Sequence, residues 1–317
     1  MTRRKRSSSG QAYVLTILFL VVMLGMAAAV LDVGSWYRAQ RALQATVDAA
    51  ALAGAQELPY DTGLARSKAL EYAGKNGGGV AAANVTFSSK IVANDTIKVT
   101  GSRSAPGFFA KVFGVEAVSV GAHAAARTAN ISSAQGVAPI VVHYKHPLLH
   151  CTGGAGNPTC NPTFNVPTTL DLEDLHQSGG GSGSAAFGLL DLSNAQNGNP
   201  SAGDLANWLL NGLDKQMDLG KYFSAPSANF NNSQFIAAMQ AMLGKELLFP
   251  VYRLLTGPGS NAQYDIIGWV GFVVTSFDPN GSATTITGYF TKYIASGIQV
   301  TSGGNPSFGA RSVQLVD

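Results

Sequence analysis

Charged side chains are scarce in this sequence. Asp, Glu, Lys and Arg make up 12% of its 317 residues, against roughly 25% in an ordinary soluble protein. The formal net charge is +3, and Arg3, Arg4, Lys5 and Arg6 alone supply +4, so everything after them is slightly acidic. A nucleic-acid partner needs a basic face, and the body has none to offer; no nucleic acid is expected. Cysteine is limited to Cys151 and Cys160. Zinc knuckles pair ligands two to four residues apart, and these two lie nine apart. His143, His146 and His150 sit close by, so a metal site or free thiols stay open as alternatives. The expectation is a disulfide closing a short loop outside the cytoplasm. Signatures of catalysis are missing as well. No Ser/His/Asp, metal or nucleotide motif stands out, so neither a cofactor nor a small-molecule substrate is expected. The glycine-rich run at 179–184 lacks the Lys that a phosphate-binding loop requires and reads as a flexible loop. Asp171, Glu173 and Asp174 read as a solvated face.

Two further absences coincide at the amino end. Residues 11–31, QAYVLTILFLVVMLGMAAAVL, carry no ionisable charge from Asp, Glu, Lys or Arg, and no proline occurs before Pro59. Twenty-one such residues at about 1.5 Å each make a helix of roughly 31 Å, the thickness of a bilayer's hydrocarbon core. The preceding basic residues should keep the amino terminus in the cytoplasm and place the rest outside. A secretory signal cleaved after Ala29 is the alternative, since Ala27 and Ala29 form an A-x-A arrangement. Against it stand an apolar run longer than an ordinary signal's and helical propensity that continues past Ala29. A retained anchor is therefore expected.

From Asp32 onward the helix pattern continues in a different composition. Alanine, the strongest helix former, recurs through residues 39–53, and Leu43, Val47 and Ala50 or Ala51 make an apolar stripe. Two readings are open: a solvated helix leaving the membrane, or one packed on a small sheet or on copies of itself. Asp32, Gly34, Tyr37, Leu43, Asp48, Ala49, Ala50, Ala51 and Gly54 are the candidates for helix packing.

These same residues carry a resemblance. Gly10–Gln11, the apolar run, Asp32-Val33-Gly34, Tyr37, Leu43-Gln44 and Asp48 through Ala55 resemble the amino-terminal segment of TadE/TadG-like Flp pilus-assembly proteins. The resemblance covers about fifty residues. It implies a membrane-anchored, pilin-like component of the tight-adherence system, with the lipid bilayer and other Tad/Flp subunits as partners. Gly10 and Gln11 mark the possible leader-processing site. Processed prepilins usually carry Glu five residues after that Gly, and Leu15 stands there instead, which favours an anchored assembly factor over a major filament subunit. Some relatives also carry a von Willebrand A domain, whose metal site begins D-x-S-x-S. Here Asp191-Leu192-Ser193-Asn194-Ala195 lacks the second Ser, and a turn after a strand is the expected reading.

The remaining chain predicts an α+β fold. A basic leader at 1–10 and a membrane helix at 11–31 are followed by the helix continuation at 32–58. A small α+β module at 60–130 follows in the order helix, strand, strand, short turn or helix, strand. Its Phe108, Phe109 and Phe113 are expected in the core. Residues 137–317 should form an exported, antiparallel β-rich domain with helical insertions. Among these, a helix near 202–215 is expected to be capped by Asp204, and another near 232–248 to bury Phe235, Met239, Met242 and Leu243. The function this implies is non-enzymatic: a minor-pilin-like part of pilus assembly, serving biogenesis and adherence. The alternatives are a secreted or envelope-tethered ligand-binding or adhesin protein, or an exported enzyme without a recognisable motif.

Overall fold

The computed structural model describes residues 9–153, 158–170, 186–195, 199–257, 261–279, 284–295 and 307–316. Arg3, Arg4, Lys5 and Arg6 of the basic leader, the acidic trio and the glycine-rich run lie outside these residues. The chain divides into two compact units, Met1–Arg127 with Gln314–Asp317, and Thr128–Val313.

The first unit is built on one helix, α1, Ser9–Ala55. Its 47 residues extend about 70 Å, unbroken because neither proline nor a left-handed glycine interrupts them. Hydrogen bonds from Glu57 and Leu58 back to Gly54 and Ala55 close it. Helix α2, Thr62–Lys75, starts where the Asp61 carboxylate accepts the Leu64 amide at 2.8 Å. It buries Ala65, Ala69 and Ala73, one face at four-residue spacing. Small side chains on both helices let the backbones come close: a methyl group on Gly54 would lie 2.9 Å from the Ala65 carbonyl oxygen. Strand β1, Val85–Ser88, pairs antiparallel with β2, Thr96–Pro106, which forms a long hairpin with β3, Ala117–Asn130. Ile97, Val99, Gly101 and Ala105 alternate inward along β2, as do Val120, Ala122, Ala124 and Ala126 along β3. That period of two is what a sheet with one covered face demands. At the start of β2, the buried Asp95 carboxylate accepts the amides of Lys90, Ile91 and Val92 and the Thr96 hydroxyl. Burial would raise its pKa, but these bonds outweigh it and hold the carboxyl below its ordinary value.

The second unit contains short strands β4, Ser133–Ala134, and β5, Val142–His143, then β6, Pro167–Leu170, and β7, Ala186–Leu190. After helix α3, Ala202–Asn211, come β8, Met217–Asp218, and β9, Gly220–Pro226. Helix α4, Ser233–Ala241, precedes β10, Glu246–Thr256, β11, Gln263–Asp278, β12, Thr285–Thr291, β13, Tyr293–Ala295, and β14, Ala310–Val316, whose last three residues belong to the first unit. The central sheet runs β5-β10-β11-β12-β6, with β9 also on β11 and β7 on β9. All its pairings are antiparallel except β5 with β10. Two apolar clusters form around these strands. One gathers Phe249, Phe272 and Phe290 with Leu205 and Leu209 of α3 and Phe235 and Met239 of α4. The other gathers Leu248, Tyr252, Tyr264, Ile266 and Trp269 with Val137 and Val141. Because both faces are covered, residues 266–274 of β11 are buried without a break, as a doubly covered strand should be.

Three expectations change here. Helix α3 is capped by Ser201 rather than Asp204: the Ser201 hydroxyl accepts the Asp204 amide, and the Asp204 carboxylate accepts the Ser201 amide. This is the reciprocal box of a Ser followed three residues later by an acid. Helix α4 stops at Ala241, because Gly244 takes a left-handed φ of 75° and donates to the Val274 carbonyl. Leu247 and Leu248 therefore enter a strand, and Leu243 is exposed. The third change concerns Phe108, Phe109 and Phe113, all exposed.

Candidate functional site

The site is the junction on α1 between its bare half and its packed half. From Tyr13 to Leu31 the helix is exposed apart from the half-buried Ala28, and it is long and apolar enough to cross a membrane. An apolar surface of this kind needs lipid or protein around it.

At Asp32 the surroundings change abruptly. The side chain is 2% exposed, and its carboxylate accepts three backbone amides from the β2–β3 connection: Phe108 at 2.8 Å, Phe109 at 3.2 and 3.0 Å, and Ala110 at 2.5 Å. Burial would raise the pKa of this carboxyl. The amides of Phe108, Ala110 and Phe109 outweigh that effect and lower it below the ordinary value. Donation of three amides to one ionised carboxylate is a charge-assisted arrangement. It also explains why a lone acid stands in an otherwise apolar stretch. One turn further on, the Trp36 indole donates to the Pro106 carbonyl at 3.2 Å.

Beyond this point the helix packs inward through Leu43, Thr46, Val47, Ala50, Ala51, Ala53 and Ala55, all buried. The Thr46 hydroxyl donates to the Asn76 carbonyl at 2.6 Å, and the Gln44 amide bridges Asp48 and the His123 carbonyl, both at 2.8 Å. Gly101 on β2 lets the sheet approach: a methyl there would meet Val47 Cγ1 at 2.9 Å and Leu43 Cδ1 at 3.1 Å.

Of the sequence-derived packing candidates, Asp32, Leu43, Ala50, Ala51 and Gly54 lie buried and Asp48 and Ala49 are half-buried, whereas Gly34 and Tyr37 face outward. The Tyr37 hydroxyl accepts from Arg41 at 2.9 Å, with the guanidinium 5.2 Å above the ring. Gly34, Tyr37, Arg38, Arg41 and Ala45 together form an exposed stripe at helical spacing. Of the two readings of the outer half, this one packs on its own sheet and on α2. Gly10 lies in the first turn of α1, followed by Gln11.

The cysteines and histidines fall in the second unit. Cys151 and Cys160 are disulfide-bonded, and Thr152 and Thr159 exchange backbone hydrogen bonds inside the loop they close. The three histidines serve separate ends. His143 packs against Tyr144 and Tyr252, His146 accepts the Leu148 amide and lies against Phe290, and His150 ends a short 3-10 turn. Among the described residues, no three His, Cys, Asp or Glu side chains gather as a metal site. Asp191 turns the chain after β7, one carboxylate oxygen accepting the Ser193 amide and hydroxyl.

Asp32 is among the packing candidates that the sequence offers, but nothing local announces its partner 76 residues away. The exposed turn at 108–113 read as core because its composition is apolar.

Helix α1 thus pairs an exposed apolar half, long enough to cross a membrane, with a second half that carries a folded module. Residues 10–57 match the family model for TadE/G-like Flp pilus assembly, so that this domain comprises nearly all of α1 and the turn after it. No curated protein and no solved structure matches the chain.

Proposed function

We propose that this protein is a membrane-anchored, non-enzymatic, minor-pilin-like component of Tad/Flp pilus assembly, with its amino terminus in the cytoplasm and both folded units outside. The division of α1 at Asp32 carries the reading. Residues 12–31 offer bare apolar surface for lipid, and the match at 10–57 ties that helix to pilus assembly. The four basic residues ahead of it set the orientation, and the disulfide suits an oxidising exterior.

The partner-binding surface is the exposed stripe of Gly34, Tyr37, Arg38, Arg41 and Ala45, which continues the lipid-facing surface outward. The inward alanine stripe is already occupied by α2 and β2, so substitutions there would disturb folding rather than association. Exchanging Gly34 and Ala45 for Leu should abolish co-purification with pilus-assembly subunits while the protein still sediments with membranes. Undiminished co-purification would count against the reading. Mass spectrometry of the mature amino terminus separates the modes of anchoring: a start at Gln11 means pilin-like processing, a start at Val30 means secretion, and an intact leader means a permanent anchor.

A further inference from the structure

We infer that the β2–β3 hairpin tip, residues 107–116, is a second membrane contact, inserting Phe108, Phe109, Val112 and Phe113 into the interfacial layer of the outer leaflet. The inference rests on the proposed single span. Its new element is a site on the folded module that touches lipid independently of α1.

Three observations carry it. The first is exposure where burial would be expected: Phe108 is 65% exposed, and Val112 and Phe113 are each 82% exposed. Four large apolar side chains within six residues form a patch far denser than the scattered exposed apolar residues of an ordinary surface.

The second is height along α1. Gly101 of β2 lies against Leu43 and Val47, Pro106 against Trp36, and the amides of 108–110 against Asp32. The hairpin thus descends the helix toward the bare half. From Trp36 to Asp32 it drops about 6 Å, and Asp32 directly follows Leu31, the last residue of the uncharged run. A span of residues 12–31 fills a hydrocarbon core of about 30 Å, so a tip pinned at Asp32 stands at its edge.

The third is that the tip is held in shape. The Gly107 amide donates to the Glu116 carbonyl at 2.9 Å, and the Val115 amide to the Ala110 carbonyl at 3.0 Å. Gly114 supplies the left-handed φ of 83° that reverses the chain. A rigid aromatic wedge loses little conformational freedom on entering lipid, and aromatic side chains favour this interfacial depth. Lys111 beside it can run its stem along the apolar surface and keep its charge among the headgroups. Lipid, rather than a protein partner, is the occupant because the patch is continuous with the lipid-facing surface of α1 and level with its end.

The test uses the full-length chain in phosphatidylcholine–phosphatidylglycerol nanodiscs, comparing Phe113→Trp with the parent protein by difference fluorescence. Position 113 is exposed, so the exchange leaves folding intact. The added emission should shift to shorter wavelength and be mostly lost when the lipids are brominated just below the glycerol. Water-like emission without quenching would overturn the inference. Blue-shifted emission that lipid bromine does not quench would also overturn it, by showing protein over the tip. Leu20→Trp, read with lipids brominated at the chain ends, reports on the span by itself. Quenching there with none at position 113 sinks only the hairpin contact, whereas no quenching at position 20 sinks the span and the contact with it.

Discussion

Gly54 is the point at which helix propensity and packing predict opposite outcomes. In a solvated helix interior, Gly→Ala stabilises by about 1 kcal/mol. At position 54 the new methyl would lie 2.5 Å from Ile97 Cδ1, 2.9 Å from the Ala65 carbonyl oxygen and 3.2 Å from the Ala69 methyl. The Ile97 tip can rotate away. The Ala65 oxygen belongs to α2's backbone and can yield only if the helices separate, and forcing a methylene into a packed site costs about 1–3 kcal/mol. Set against the propensity gain, Gly54→Ala should destabilise the first unit by about 1 kcal/mol, lowering its thermal midpoint by about 4 °C. Gly74 is the internal control. It lies in α2, where a methyl would meet nothing within 4 Å, so Gly74→Ala should stabilise by about 0.5 kcal/mol, less than a mid-helix site because it sits near the end. Both variants can be followed by pulse proteolysis of the full-length protein in nanodiscs across a temperature or urea series. A Gly54→Ala midpoint equal to or above the parent's would refute the argument that close backbone approach is what requires glycine there.

Two predictions concern the second unit, with Trp269 fluorescence as a convenient probe. The fully buried Tyr264 hydroxyl, whose pKa burial pushes up, accepts the Gly188 amide at 2.9 Å. Tyr264→Phe strands that amide and should cost about 1–3 kcal/mol; an unchanged urea midpoint would show that the amide finds another partner. Burial lowers the His143 pKa from 6.5 to about 4, opposed by a hydrogen bond with the Arg253 backbone and reinforced by the Lys145 charge. The folded state keeps this imidazole neutral while the unfolded chain takes up a proton, so stability should fall as pH drops from about 6.5 to about 4 and gain no further loss from this group below that. In His143→Gln the loss over that window should shrink, and an identical pH profile in the two proteins would contradict the assignment.

Much of the first unit is visible in the residues themselves. The absence of proline and charge announces α1, and the alternation of Ile97, Val99 and Gly101 announces β2. The partner of each face is not visible in this way. An alanine stripe is compatible with a sheet, a second helix or another molecule, and only the close approach at Gly54 and Gly101 distinguishes them. The hairpin tip shows the same limit from the other side: aromatic composition signals a need for an apolar environment without saying whether protein or lipid meets it. In the second unit, residues 242–248 set two apolar pairs, Met242-Leu243 and Leu247-Leu248, around Gly244, Lys245 and Glu246, a pattern that suits a helix end or the start of a strand equally well. The pairing of Gly244 with Val274, thirty residues away, decides between them. Ser201 could have been found, since a Ser with an acid three residues later is a local signal.

The three amides gathered on Asp32 have a mechanical meaning. They lock α1 to the hairpin against sliding along its axis, since displacement by one helical turn of about 5.4 Å would break all three at once and leave a buried carboxylate unpaired. On the proposed topology the module is therefore a collar fixed at one height on its shaft. A force drawing the helix toward the cytoplasm meets the collar at the bilayer surface, and a force drawing it outward lifts helix and module as one piece. Extraction from the membrane can then proceed in one direction without unfolding, with Asp32 and the buried face from Leu43 to Ala55 together fixing that direction.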